Sequence, residues 1–544
     1  MSGPDPSSGM GADGMGLDAP EPGFPGAEEP EERQRRRPTV RGALVIGART
    51  TSGLIGVAAS VAVVIAAATI PLPTWSVTPA SVVVTPEAAA SRLVCTGSPL
   101  RLADESGEGA GTSSPLVTPV TTVVGDGSVD VRSIAQSDAG TGGTDDAPVV
   151  LEIAPGADGA PRLDAGAQAS LIADGDQQGL ATQTCAAPTG RQWVVAGATT
   201  IGRTSLLSVV NPTTVPAVVD LEIFTERGPV SAVGMAGIDV PAGAQRVIPI
   251  AGFVLEAESI AVRVTSSGGN VVASLQSSTI RTLEPGGIDL VTAAGDAGRS
   301  QVVPGVVIDD GVALAAIVDR GAGYEDAATT VRIVAPPVES DDDIGARILF
   351  VPDGMTVAEA EEAAAADEVI EGGEGAATAE VDLTVARPRL VETHLHGGEV
   401  LDVPVPNVGT GGYTVHVTAT EPVLAAVRVT AAGTAGTDFA WVSQATGLAD
   451  DAIVAVPDAV DPRIAIANPR ATDAEVVVEV DGKPTTVTVP ATGSVLLPVV
   501  GDEEVRLSGV AGLSAAIVTG RAGLLSVSPV QPPAAVSRPV TVYP

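Results

Sequence analysis

Along most of the chain, apolar and polar residues alternate in short runs. Val476, Val478 and Val480 point one way while Glu475, Glu479 and Asp481 point the other, the period of two that marks a strand with one buried face. The Asp481-Gly482 dipeptide that ends this run is what a tight primed hairpin turn requires. Runs of this kind recur from about residue 190 to the C-terminus, separated by Gly, Pro and Asn, and that spacing predicts antiparallel β-sandwiches.

The runs also repeat. One unit reads LLSVVNPTTVPAVVDLEIFTERGPV, IDVPAGAQRVIPI and IAVRVTSSGGNVVASL; the last reads RIAIANPRATDAEVVVEVDGKPT, VTVPATGSVLLPV and VRLSGVAGLSAAIV. In each, a strand ends at Asn-Pro (Asn211-Pro212, Asn468-Pro469), because Pro cannot donate to a ladder. A Pro-Ala turn closed by Gly243 or Gly493 then leads to a short strand ending in Pro249 or Pro498. A third copy lies between, as TTVRIVAPP, VDLTVARPRL, HLHGGEVLDVPV and YTVHVTATEPVLAAVRV. The expected fold is mostly β: tandem Ig-like antiparallel β-sandwich modules over 191–300, 301–446 and 447–544, preceded by a degenerate β module over 75–190. The second module carries an acidic insertion, 339–380, in which Thr356 as N-cap and Glu359 three residues on predict a short helix over 356–367. Trp193 and Trp441 precede the Asn-Pro motifs of the first and third units and are read as caps of module cores, with binding as the alternative.

The N-terminus breaks the pattern. Residues 1–50 are rich in Gly, Pro and acidic residues without apolar periodicity, the composition of a disordered tail. The tail ends in Arg33, Arg35, Arg36, Arg37, Arg41 and Arg49, and the run 52–72 that follows is uncharged and, at helical rise, spans roughly 30 Å, enough for one transmembrane helix. No Lys or Arg follows until Arg92, so the positive-inside bias keeps the tail cytoplasmic and sends the rest of the chain outside, with Trp75 as an interfacial anchor. A buried core helix and a cleaved signal peptide, the latter suggested by Ala66 and Ala68, are the alternatives; the length of the run and of the tail favours an uncleaved anchor.

Cys95 and Cys185 are the only cysteines. On the outer side of a membrane an even pair reads as a disulfide stapling 75–190, against a metal or redox site that would need a CxxC partner or a nearby His. Five Phe, three Tyr and three Trp leave the cores to Ala, Val, Leu and Ile, and make recognition of sugars by stacking a poor fit. With a net charge of −37 and a single lysine, Lys483, the chain is no partner for nucleic acid.

Candidate chemistry is sparse. His394 and His396 lie two apart on a predicted strand with His416 on a neighbouring one, a set some zinc sites use, yet no Cys is near, Glu392 and Glu399 are only loosely placed, and a polar strand face is the better reading. Asp341, Asp342 and Asp343 lack EF-hand spacing, and Lys483 in DGKPTT belongs to a hairpin rather than a phosphate loop. No G-x-S-x-G occurs, which leaves a carboxylate pair as the one route to a hydrolase. No catalytic residue, metal ligand or cofactor site is assigned.

The Arg-flanked anchor, the Cys95 and Cys185 pair and the repeated NP…VPAG…VxV units resemble an uncharacterised family of actinobacterial membrane-anchored exoproteins, whose domain of unknown function would cover about 90 to 540. The resemblance implies a cell-envelope setting near glycan-assembly machinery and brings no catalytic residues. The expected protein is a single-pass membrane protein, N-terminus cytoplasmic and ectodomain outside, acting as a non-catalytic scaffold or tether in the form of a rod of modules. Its expected partners are the lipid bilayer and an envelope protein or wall polymer. The alternative is a binding module for a cell-wall polymer or an envelope glycan-assembly partner.

Overall fold

The computed structural model describes residues 82–84, 90–102, 113–136, 144–155, 162–338, 343–371, 382–531 and 540–542. The tail 1–50, the span 52–72, Arg33, Arg35, Arg36, Arg37, Arg41, Arg49 and Trp75 lie outside them. Among the described residues no helix is long and apolar enough to cross a membrane.

The chain is mostly β, and one strand order recurs along it. In residues 191–292, one sheet runs Arg191–Val195, Ile260–Gly268, Ala217–Thr225, Ile238–Val240, and the other Glu284–Thr292, Val272–Arg281, Arg203–Asn211, Ala244–Pro249. In residues 451–529 the corresponding sheets are Asp451–Ala455, Glu504–Ser508, Ala474–Val480, Lys483–Val489 and Ser526–Pro529, Ser514–Thr519, Arg463–Ala467, Ser494–Pro498. Between them, a 23-residue strand, Gly411–Gly433, serves both sheets of its unit. Its first half pairs with Gly298–Ile308 and Ile344–Pro352, its second with Thr330–Val334 and Gly436–Ser443. Ahead of all three, Ser91–Cys95, Val149–Ile153, Val129–Ser133 and Gln177–Thr184, Asp164–Asp174, Val120–Gly125 follow the same order with three strands per sheet.

Local sequence accounts for the turns. Asp481 and Gly482 both adopt positive φ, +50° and +70°, and join strands paired Val480 to Lys483, as a primed hairpin demands. Asn211 and Asn468 are more than strand ends. Each is buried, and its Nδ2 donates to the carbonyl four residues on (Val215, 2.8 Å; Thr472, 2.9 Å) and to the carbonyl before the Pro-Ala turn (Val240, 3.1 Å; Val489, 3.2 Å). The helix Val357–Glu371 starts as its sequence predicts: the Thr356 hydroxyl accepts from the Glu359 N–H and the Glu359 carboxylate from the Thr356 N–H, at 3.3 and 2.8 Å. A second helix, Gly311–Val318, is capped by Asp310.

Three large aliphatic cores lie among these sheets. Trp193 and Trp441 are both buried in the first, which corrects the expectation that Trp441 caps the third. Gly436–Ser443 is an edge strand lying against Glu284–Thr292, where the Asp289 carboxylate accepts the Trp441 N–H at 2.7 Å, so its tryptophan is delivered to the earlier core.

Among residues 82–542 the units do not simply follow one another end to end. Gln177–Thr184, Glu284–Thr292, Gly436–Ser443 and Ser526–Pro529 are the edge strands of four sheets, and they meet. The buried Asp438 carboxylate accepts the backbone N–H of Leu180, Ile288, Leu525 and Phe439 at 2.8 to 3.2 Å. Ser526 Oγ accepts the Thr182 N–H at 2.8 Å, and Arg506 reaches back to Asp126 at 2.8 Å, so the last unit closes on the first. Unpaired edge N–H groups cannot be left dry, and the side chains of Asp438 and Ser526 satisfy them where no ladder forms.

Candidate functional site

A cleft of about 870 Å³ lies between residues 197–279 and 323–441. Its floor is built from arginines standing alone in otherwise apolar strands, among them Arg332 in TTVRIVA and Arg428 in AAVRVTA. Arg332, 1 % exposed, lies 4.3 Å above the Trp441 ring and has an acceptor for every fork of its guanidinium. It forms two 2.7 Å bonds to Asp402 and donates to the carbonyls of Gly197, Ile260 and Glu258 at 2.7 to 3.2 Å. This is a balanced joint between the two flanking units.

Beside it the balance fails. Arg203, Arg281 and Arg428 all turn to one carboxylate, Asp326, at 2.9, 2.9 and 3.2 Å. Arg428 is buried with its guanidinium 4.5 Å from the Phe439 ring, and its Nη1 has no partner; neither has Nε of the buried Arg281. Burial pushes Arg428 down to about 10; Asp326 opposes that, while Arg281, Arg203 and Arg332 reinforce it. For Asp326, burial pulls upward, but Arg428, Arg281 and Arg203 outweigh it and hold the carboxyl below its ordinary value. An acid so held keeps its charge and is unsuited to donating a proton. Thr200, Ser277 and Thr279 add hydroxyls to the wall, and Glu256, Glu258 and Glu325 add carboxylates. The arrangement is chemically equipped to hold a ligand by charge-assisted hydrogen bonds.

The residues singled out from the sequence lie elsewhere, Trp441 excepted. Cys95 and Cys185 are bonded to each other and buried with Leu93, Leu151 and Ile153. His394 and His416 belong to one sheet, but Ile344–Pro352 runs between their strands, pairing Gly345 with His394 and Leu349 with His416, so they are not on adjacent strands as expected. His396, just past its strand, pairs with Asp343 at 3.1 Å, and among the described residues no group of three His, Cys, Asp or Glu is placed to hold a metal ion. Asp341 and Asp342 lie outside the described residues. Lys483 pairs with Asp481 on the exposed hairpin. The cleft residues Arg203, Arg332, Arg428, Asp326 and Asp402, and the buried Arg281 that joins them at Asp326, were not singled out. For Arg332 and Arg428 the signal is the lone charge in an apolar strand, a costly placement unless a partner waits across the fold, whereas Asp326, on a short turn, carries no such signal.

A comparison with curated proteins finds no match. Residues 139–465 match the model of a family of unknown function, DUF5719, and every residue named in the cleft falls inside that stretch. The match spans more than half of the chain, which therefore belongs to the DUF5719 family.

Proposed function

We propose that this is a membrane-anchored, extracytoplasmic interaction protein of the bacterial cell envelope, a non-catalytic scaffold with its tail in the cytoplasm and its Ig-like sandwich modules outside. The observation that carries the reading is the buried Cys95–Cys185 disulfide, since such bonds persist in oxidising compartments. The Arg-flanked run 52–72 supports the anchor and its orientation. Protease treatment of intact cells stripped of wall, with non-reducing mass analysis of the Cys95 and Cys185 peptides, tests it. Shaving of the chain beyond residue 75, a protected tail and a bridged peptide are the expected results; a protected C-terminal region with two free thiols would sink the reading.

A second reading, a binding module for a cell-wall polymer or a glycan-assembly partner, is favoured by the cleft, whose size and polar lining suit a hydrophilic ligand. Retention of the full-length chain on purified wall material tests it, and no retention above a denatured control removes it.

A further inference from the structure

We propose that Arg203, Arg281 and Arg428 form a binding site for an oxyanion, a phosphate or carboxylate group on an otherwise uncharged, hydroxyl-rich ligand, and that Asp326 is the tethered group standing in for it. The inference deepens the binding-module reading and rests on it. Two arginine clusters lie side by side here, the second reaching from the cleft lining at Arg203 and Arg428 to the buried Arg281 behind Asp326, and they differ in how their charges are met. At Arg332 one guanidinium meets one carboxylate and three carbonyls, as a purely structural joint requires. At Asp326 three guanidiniums share one carboxylate, leaving two positive charges in excess and buried N–H groups on Arg281 and Arg428 unpaired. In a chain of net charge −37, which has acidic side chains in surplus, a joint alone gives no reason for that deficit.

Asp326 is also the most exposed member of its cluster, with a side chain 29 % accessible against 4 to 18 % for its arginines. It sits on a short surface turn, Glu325–Ala327, preceded by Gly321 and Gly323 at φ +76° and +90°, beside neither of which would an added Cβ meet a neighbour. The carboxylate thus approaches the arginines from the solvent side, the side from which a ligand enters. Glu256, Glu258 and Glu325 on the same cleft repel a dense polyanion, which selects a ligand with one anionic group and leaves these carboxylates to accept from hydroxyls.

The test is titration of the full-length chain with inorganic phosphate and, in parallel, with glucuronate, at ionic strength matched with chloride. Saturable binding of one or both is expected, and which ion binds distinguishes the phosphate from the carboxylate form of the ligand. Asp326→Asn, which removes the competing charge, tightens binding about tenfold, and Arg203→Gln weakens it about tenfold. Should either variant fail to fold, the thermal midpoint of the unaltered chain decides: it rises with the bound ion relative to chloride. No binding and no rise with either ion overturns the proposal. Retention on wall material unchanged by Arg203→Gln would keep the binding module and remove this site; saturable ion binding without retention would keep the site and remove the wall polymer as its source.

Discussion

Asp289, Asp438 and His416 are ionisable groups whose environments oppose their charge. Burial pushes Asp289 up to about 7, against the N–H groups of Trp441 and Leu290 and the Ser526 hydroxyl, and raises Asp438 well above its ordinary value. Between the unfolded value near 4 and the folded value near 7, the folded chain keeps a proton on Asp289 that the unfolded chain releases. That contribution to stability is complete at low pH and lost as pH rises through 7. His416 runs the other way: burial lowers it to about 4, so below about pH 6.5 the unfolded chain takes up a proton that the folded chain refuses, and stability falls as pH falls. Asp326, held low by its arginines, adds to the loss at the acid end. Between about pH 4.5 and 6.5 the Asp289 and His416 contributions oppose each other, so thermal midpoints measured from pH 4.5 to 8.5 are expected to fall only as pH approaches 7 and to level off above it, with Asp289 contributing about 4 kcal/mol at most over its full range. Asp289→Asn removes the fall and leaves a rise in stability from pH 4.5 to 6.5, whereas His416→Gln leaves a continuous fall from pH 4.5 to 7. An unchanged slope in Asp289→Asn removes that aspartate as the cause.

At the scale of the element, the Asn-Pro turns hold the repeat together. Asn468 ties the end of Arg463–Ala467 to the turn at Thr472 and to the end of Lys483–Val489, and its Oδ1 accepts the Arg470 N–H at 3.1 Å. Asn468→Ala takes this partner from the carbonyls of Thr472, Val489 and Pro490 and from the Arg470 N–H, and is expected to cost about 2 kcal/mol in denaturant unfolding. Asn211→Ala removes the equivalent clamp, with Thr213 N–H losing its 3.0 Å acceptor, and should cost a similar amount. Asn468→Asp, which turns a buried carboxylate oxygen toward carbonyl oxygens, should cost at least as much. The motif, the Asp481-Gly482 hairpin and the Thr356–Glu359 capping pair were all visible in the sequence, because each is an interaction between residues a few positions apart. The clamp that Asn211 makes to Val240 was not visible, since nothing local indicates which distant carbonyl a buried amide will reach.

Over the whole described molecule, closure of the last unit on the first makes the disulfide more than a local staple. Cys95 and Cys185 lie 90 residues apart in the chain, and the segment they bridge carries Asp126, Thr122 and Thr182, which bond to Arg506, Asp502 and Ser526. A loop of that size contributes roughly 4 kcal/mol through the unfolded state in the chain-entropy model. Replacing both cysteines by Ser is expected to lower the denaturant midpoint accordingly and to open residues 451–529 to proteolysis along with 91–184. Protection of 451–529 in that variant would mean that the closure carries no coupling between the two ends.

The pairing of the only two cysteines, 90 residues apart, followed from their number, and near-neighbour features were determined by the sequence alone: mostly β structure from the period of two, hairpins and caps from dipeptides and tetrads. These depend on interactions within a turn or across adjacent strands, so the residues that make them lie close together in the chain. The cleft and the meeting of four edge strands were decided only by tertiary structure. Asp326 lies 123 residues from Arg203, 45 from Arg281 and 102 from Arg428, and Asp438 lies 258 from Leu180. A lone charge in an apolar strand announces that a partner exists, but which partner, and whether the charges balance, depends on how separately folded sheets come together.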